Sequence, residues 1–414
     1  CPTPAPAPST PITVSQRWMN SFMELDITGT AGDDLLLLSQ DGTTLTINAN
    51  GKSQSVTGTF GEIVIHGGAG NDILTIAASV TTQTRLYGDA GNDTLIALGQ
   101  GNATLVSVDG SSDTLTGNGR TTSYWVDGKD QVNASATEIA DGRVHILNGF
   151  YQPFTNDPGS AGYITATADG MNIPDPAADA ASWTRLSTSS LWGVGPRMED
   201  VNQGSVSDCY FLSVLQDLAR LQPAKLREMA VDLGDGTYAV RFQRNNVTTY
   251  VRVDGDLPMT QWGTLTYDHS GPSGNQWASI MEKAYACFRT GANSYASLNW
   301  GWMGATYSDL GLAVSGVGLS DQNTFASLTG SKLAAGKTVE IATNGSITAG
   351  TPLVASHSYS IVSTAFDSVG TLQVTLRNPW GFDGFSVDGN PYDGLITLSF
   401  SALKANSAGG VALA

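Results

Sequence analysis

The sequence predicts a multidomain chain, an N-terminal parallel β-solenoid followed by an α+β domain. Two observations predict it. GGAGNDILT at 67–75 recurs as GDAGNDTLI at 88–96, 21 residues on, with a degraded copy, DGSSDTLTG, from Asp109. From Trp183 onward that texture gives way to helical and strand patterns in mixed order. The length, 414 residues, suits two or three domains.

Residues 1–23 open with the Pro-rich stretch CPTPAPAPST and are read as an extended tether. Cys1 followed by this stretch resembles the start of a mature bacterial lipoprotein, lipid-anchored through that cysteine and secreted or displayed at the cell surface; the other reading is an arbitrary chain boundary. Residues 24–152 carry the repeats. Short β-rich runs (EIVIH, TRLYG, ATLVSV) precede Gly/Asp turns at a fixed period. A period with one turn per repeat marks a solenoid, because a single coil cannot bury its own apolar row. Residues 153–182 lack periodicity and read as a linker, leaving 183–414 for the second domain.

Charge is uneven. Residues 1–182 hold 6 Lys+Arg against 19 Asp+Glu, and residues 183–414 hold 14 against 18. Such an acidic chain is no nucleic-acid binder, since phosphate recognition needs concentrated Lys and Arg. No run of eighteen apolar residues is present, so no membrane-spanning helix is expected. The three cysteines, Cys1, Cys209 and Cys287, form no disulfide framework.

The chemistry is expected in 200–221, DVNQGSVSDCYFLSVLQDLARL. Phe211, Leu212, Leu215, Leu218 and Ala219 recur on one helical face, Asp208 is placed to cap the helix, and Pro223 lies beyond its end. Cys209 then sits in the first turn, where free N–H groups and the helix dipole favour a thiolate. A cysteine at a helix start is more often a small buried hydrophobe, so the reading needs partners. Gln203, six residues earlier, offers an amide donor to a developing oxyanion, together with the Cys209 N–H. Further on, 358–366 and 371–377 read as two strands joined by the turn DSVG at 367–370. An antiparallel hairpin of that register brings His357 beside Asn378, within the offset a bulge allows. A neutral His takes a thiol proton and returns it to a leaving amine, and an Asn carbonyl fixes its tautomer. Trp380 follows Pro379 and could shield the pair from water.

These residues resemble the calpain family of cysteine proteases. QGSVSDCYFL, WASIMEKAYACF (277–288), HSYSI and RNPWG match its blocks in order, over about 230 residues. The resemblance implies a papain-like two-lobed protease core, with Cys209 on a mainly helical lobe (183–320) and His357 and Asn378 on a β-rich lobe (321–414). It implies a protein or peptide substrate and an acyl-enzyme at Cys209, with Gln203 at the oxyanion position and no organic cofactor. It also implies calcium at Asp200 and Asp393, although Leu395 stands where a carboxylate is expected. The repeats resemble the calcium-binding repeats of RTX toxins and secreted bacterial proteases. The matching positions are Gly68, Gly70, Asp72, Gly91 and Asp93, with Asp89 in place of a Gly. The alternative is that these turns merely need positive φ. Competing functions are a surface adhesin built on an inactive protease fold, and a Cys-dependent acyl transferase on the same core.

Overall fold

The structure, a computed structural model, describes residues 11–151, 164–165, 173–384 and 390–414. Cys1 and most of the expected linker lie outside the described residues. The chain divides into two compact units. The first runs to Tyr151 and includes Val231–Ala239; the second comprises Pro174–Ala230 and Val240–Ala414.

The first unit is a β-solenoid built from two seven-stranded sheets. Along one sheet, Glu62–His66, Gln83–Tyr87, Ala103–Ser107, Thr122–Val126 and Val144–Ile146 follow each other in parallel; along the other, Ile73–Ile76, Thr94–Ala97, Thr114–Thr116 and Gln131–Asn133 do. Alternation aims every second side chain inward. Ile63, Ile65, Leu74, Ile76, Leu86, Leu95, Leu105 and Leu115 therefore form one fully buried stack. Each such side chain contributes about 1.5–3 kcal/mol relative to exposure.

The parallel expectation fails at the N-terminal end. Thr13–Met19, inside the expected tether, pairs antiparallel with Phe22–Thr28. Leu35–Asp41, Thr44–Ala49 and Lys52–Thr57 form an antiparallel meander. The reason is local: Asp41-Gly42 and Asn50-Gly51 are hairpin signals, the two-residue loops fall at Gly42-Thr43 and Asn50-Gly51, and Gly42, Asn50 and Gly51 all have positive φ.

An aspartate row threads the turns. The N–H of Asp34 donates to Asp72 Oδ1 at 2.7 Å, Asp72 to Asp93 Oδ1 at 2.7 Å, Asp93 to Asp113 Oδ1 at 2.5 Å, and Asp113 to Asp130 Oδ1 at 3.0 Å. Each repeat Asp thus closes the coil before it.

In the second unit, helix Cys209–Leu221 is buried along nearly its whole length and stacks Phe211 on Tyr285 of helix Trp277–Phe288, ring centroids 4.1 Å apart. A six-stranded antiparallel sheet carries the other wall in the order Val314–Val317, Ser407–Leu413, Val339–Thr343, Ser358–Phe366, Leu372–Arg377, Leu395–Ser399. Val314–Val317 therefore belongs to the β-rich lobe rather than to the 183–320 lobe. Residues 174–182, expected as linker, also pack here: Ala177 N donates to Asn293 O at 2.8 Å, and Ser182–Arg185 pairs with Asp256–Met259.

Candidate active site

Cys209 opens its helix as expected, but Asp208 does not cap it: its side chain makes no capping bond, and the carboxyl is fully buried. Burial pushes Asp208 up to about 7 and Glu282 well above the usual carboxylate range. Neither Asp208 oxygen, nor Glu282 Oε1, finds a protein donor among the described residues. Asp268, beside both, is raised as well, so burial and mutual repulsion favour the protonated forms of this buried acid group.

The hairpin forms over Ser358–Phe366 and Leu372–Arg377, with Asp367 Oδ1 accepting from Val369 N and Thr371 N in the turn. A bulge at Val362 shifts the register, and beyond it Ser360 pairs with Arg377. His357 nonetheless meets Asn378: Nε2 lies 2.8 Å from Asn378 Oδ1. The Trp380 N–H donates to that same oxygen at 3.1 Å. The Trp380 donor identifies the atom as the amide oxygen, so His357 carries its proton on Nε2 and leaves Nδ1 as the acceptor. His357 is pinned from behind, its N–H donating to Thr343 Oγ1 at 2.9 Å and its carbonyl accepting from Thr343 N at 2.8 Å. The Trp380 ring lies 4.8 Å from the imidazole and covers it.

Cys209, His357, Gln203 and Trp380 line a single cavity of about 400 Å³, with Asn378 fully buried behind His357. Gln203 N donates to Pro379 O at 2.8 Å, while its Nε2 donates to Val206 O at 2.6 Å. The amide expected to face an oxyanion thus has one N–H engaged and a second to spare.

Burial sets the electrostatics. It pushes the Cys209 thiol up to about 11, against an opposing pull from hydrogen bonding with Ser358, and pushes His357 down to about 4, against the pull of Asn378. The resting pair is therefore neutral thiol and neutral imidazole. Desolvation at this depth thus opposes the helix dipole, which favours a thiolate.

A latch between the two walls was not read from the sequence. Gln216 Nε2, on the Cys209 helix, donates to Ser360 Oγ at 2.7 Å and Arg377 O at 3.1 Å; Arg377 returns a bond to Gln216 Oε1. The hint was the polar row Ser213, Gln216 and Arg220 at helical spacing on the Cys209 helix.

The expected calcium residues fall into three groups. Asp200 is saturated, accepting from Arg197 N at 2.9 Å, Trp277 Nε1 at 2.8 Å, Asn275 Nδ2 and Ser273 Oγ. Asp393 accepts from Leu395 N at 2.8 Å and Asn390 Nδ2 at 3.1 Å. Asp89 is held by His66 Nδ1 and Gly68 N. Gly68, Gly70 and Gly91 have positive φ, and a Cβ on Gly91 would collide with the Gly70 carbonyl. Asp72 Oδ2 and Asp93 Oδ2 are different: both are buried without a donor, against Gly67 and Gly88. At the equivalent place in the next coil, Ser107 Oγ donates to Asp113 Oδ2. Among the described residues, no cluster of three or more His, Cys, Asp or Glu is arranged to hold a metal ion.

A cysteine at a helix start, facing an Asn-held histidine across a cleft between a helical and a β-rich wall, defines a thiol-protease type of core. The model of the calpain family cysteine proteases matches residues 169–391, more than half of the chain. The chain belongs to the calpain family. It is 26% identical over 203 residues to the calpain-2 catalytic subunit of Bos taurus, 45% of this chain and 28% of that protein. Calpain clp-4 of Caenorhabditis elegans is 27% identical over 245 residues, 52% of this chain and 32% of that protein. The calpain-type cysteine protease DEK1 of Zea mays is 30% identical over 155 residues, 34% of this chain and 7% of that protein. The chain spans about a third or less of the length of these curated relatives.

Proposed function

We propose that the protein is an endopeptidase that cleaves peptide bonds through an acyl-enzyme on Cys209. His357 Nδ1 accepts the thiol proton as the sulfur attacks the scissile carbonyl, and returns it to the leaving amine. Water then attacks the thioester carbonyl, with His357 taking a proton from it and giving one back to the sulfur. Asn378 holds the ring. Gln203 and the Cys209 N–H stabilise the oxyanion. The observation that carries this reading is the Asn378–His357 bond on the wall of the cavity that Cys209 lines.

Binding must supply what the resting state lacks. With a peptide bound, proton transfer and attack can run together: as the proton passes from Sγ to His357 Nδ1, the negative charge passes to the carbonyl oxygen, where the Gln203 and Cys209 N–H groups receive it. In the reading proposed here, calcium, expected from both resemblances, would sit in the solenoid turns, where it would have to draw in further ligands, since no ready-made cluster stands among the described residues. Asp72 and Asp93 each keep an unpaired oxygen that would hold a hard cation, where it would neutralise the row. The saturation of Asp200 argues against a second role in the cleft. A secreted or cell-surface setting, where such weak sites fill, accords with this assignment.

An epoxysuccinyl thiol-protease inhibitor tests the nucleophile. It is expected to label Cys209 and spare Cys287, whose thiol is buried against Asn293 Oδ1 at 3.0 Å. Labelling of Cys287 alone, or of neither, would count against the reading and in favour of a binding protein on an inactive fold.

A further inference from the structure

The segment Trp300-Gly301-Trp302 lines the Cys209 cavity and is not needed by the chemistry above. Trp300 is 68% exposed and Trp302 42%. Trp300 also sits at φ +64°, a conformation that suits glycine and strains a bulky side chain. An exposed indole in a strained backbone contributes little to folding, and strain of this kind collects at sites that use it.

The strain is held in place by contacts to residues on either side of the nucleophile, Ser207 and Tyr210. Trp300 N donates to Ser207 O at 3.1 Å, and Ser207 N donates to Asn299 Oδ1 at 3.0 Å. Tyr210 OH donates to Leu298 O at 3.0 Å. Arg289 donates to Trp300 O at 2.6 Å while its guanidinium lies 4.8 Å over the Tyr210 ring. Gly301 rests on that same ring, and a Cβ there would come within 2.5 Å of it. The backbone that carries Trp300 is thus keyed to Ser207 and Tyr210, on either side of Cys209. Trp302 reaches across to Gly409 on the β-rich wall, 3.5 Å from where a Cβ would stand.

The rest of the lining is neutral. Among the described residues that line this cavity there is no Asp, Glu, Lys or Arg. A charged side chain entering it would lose hydration without gaining a partner. An aromatic or large aliphatic side chain would instead find two indole faces.

We propose that Trp300 and Trp302 form an aromatic clamp at the rim of the Cys209 cleft that selects peptides with an aromatic or large aliphatic side chain next to the scissile bond. The selection rests on the endopeptidase reading for its consequence in cleavage, but not for binding itself.

Binding therefore provides the test. The full chain carrying Cys209→Ala is titrated with a fluorescein-labelled unfolded peptide containing one central Phe, and with its twin containing Ser there. Fluorescence anisotropy should show the Phe peptide bound at least about tenfold more tightly. Trp300→Gly and Trp302→Ala, each added to Cys209→Ala, should bring that ratio towards one, and Trp302→Phe should restore most of it. Trp300→Gly keeps the backbone conformation without strain, so it decides the matter if Trp302→Ala fails to fold. Equal binding of the two peptides, or a ratio unchanged in Trp300→Gly, would overturn the clamp. A preserved preference in a wild-type chain that leaves the Phe peptide uncut would support the clamp and sink the hydrolytic reading.

Discussion

Asn378 Oδ1 lies 2.8 Å from His357 Nε2 and holds the imidazole by that edge, leaving Nδ1 as its acceptor nitrogen. Asn378 is itself fully buried and pinned, its N–H donating to Gly394 O at 2.8 Å. Asn378→Ala should therefore free the ring and lower kcat on the order of 10²-fold, with KM little changed. Steady-state kinetics on one peptide would check this; an unchanged kcat would remove Asn378 from the account.

The neutral resting pair has a pH signature. With Cys209 pushed up to about 11, alkylation by iodoacetamide should keep accelerating up to about pH 10, without a plateau near neutrality. With His357 pushed down to about 4, kcat/KM should lose its base only near that pH. The stability sign follows: a histidine whose folded pKa is depressed stabilises the fold above its unfolded value of about 6.5 and loses that contribution as pH falls towards about 4. Alkylation rates that level off at neutral pH would show a preformed thiolate instead.

The Gln216 latch ties the Cys209 helix to the His/Asn hairpin. Gln216→Ala takes one acceptor from the buried Arg377 guanidinium, which among the described residues keeps only Val201 O at 3.3 Å, and removes the donor to the Arg377 carbonyl, so it should cost about 1–3 kcal/mol in urea unfolding. It should also lower kcat, because the two walls lose their register. A drop in kcat without a drop in stability would place Gln216 elsewhere in the mechanism.

In the solenoid, burial raises Asp72 to about 6 and Asp93 to about 7, aided by Asp33, Asp34 and Asp89 around the first and Asp72, Asp109 and Asp113 around the second. Backbone N–H groups pull the other way without prevailing. Carboxyls raised above their unfolded value of 3.8 stabilise the fold at low pH and lose that contribution as pH rises through about 6 to about 7. Protection of the repeat-turn amides, each exchange rate taken relative to the intrinsic rate at the same pH, should therefore be greater at about pH 5.5 than at about pH 8. Calcium at about 1 mM should restore protection at the higher pH, and Asp93→Asn should weaken both effects. Protection independent of pH and calcium would dismiss the row as a titrating element.

The sequence made the site legible because its chemistry is local. A helix start fixes Cys209, and a hairpin with a readable turn fixes His357 against Asn378 even across a bulge. The repeats were legible for the same reason, through the spacing of Gly and Asp. Long-range relationships were not. Gln216 to Ser360 and Arg377, Asp208 to Glu282, and the Trp300 segment to Tyr210 each join residues far apart in the chain, and no periodicity encodes such pairings. The antiparallel strands near the N-terminus were missed although Asp41-Gly42 and Asn50-Gly51 signalled them, because the repeat pattern was extended over hairpin dipeptides. The depth at which Cys209 is buried, which opposes the helix dipole, is a property of the packed core and is not written in the local sequence.

Cleavage of unfolded casein by the full chain, compared among wild type, Cys209→Ala and Cys287→Ala, with calcium and with chelator, bears most directly on the endopeptidase reading. Wild type and Cys287→Ala should cleave under both conditions, because direct hydrogen bonds such as Gln203 N to Pro379 O join the cleft walls, and Cys209→Ala should not cleave. Casein cut by Cys209→Ala at the wild-type rate would contradict the account.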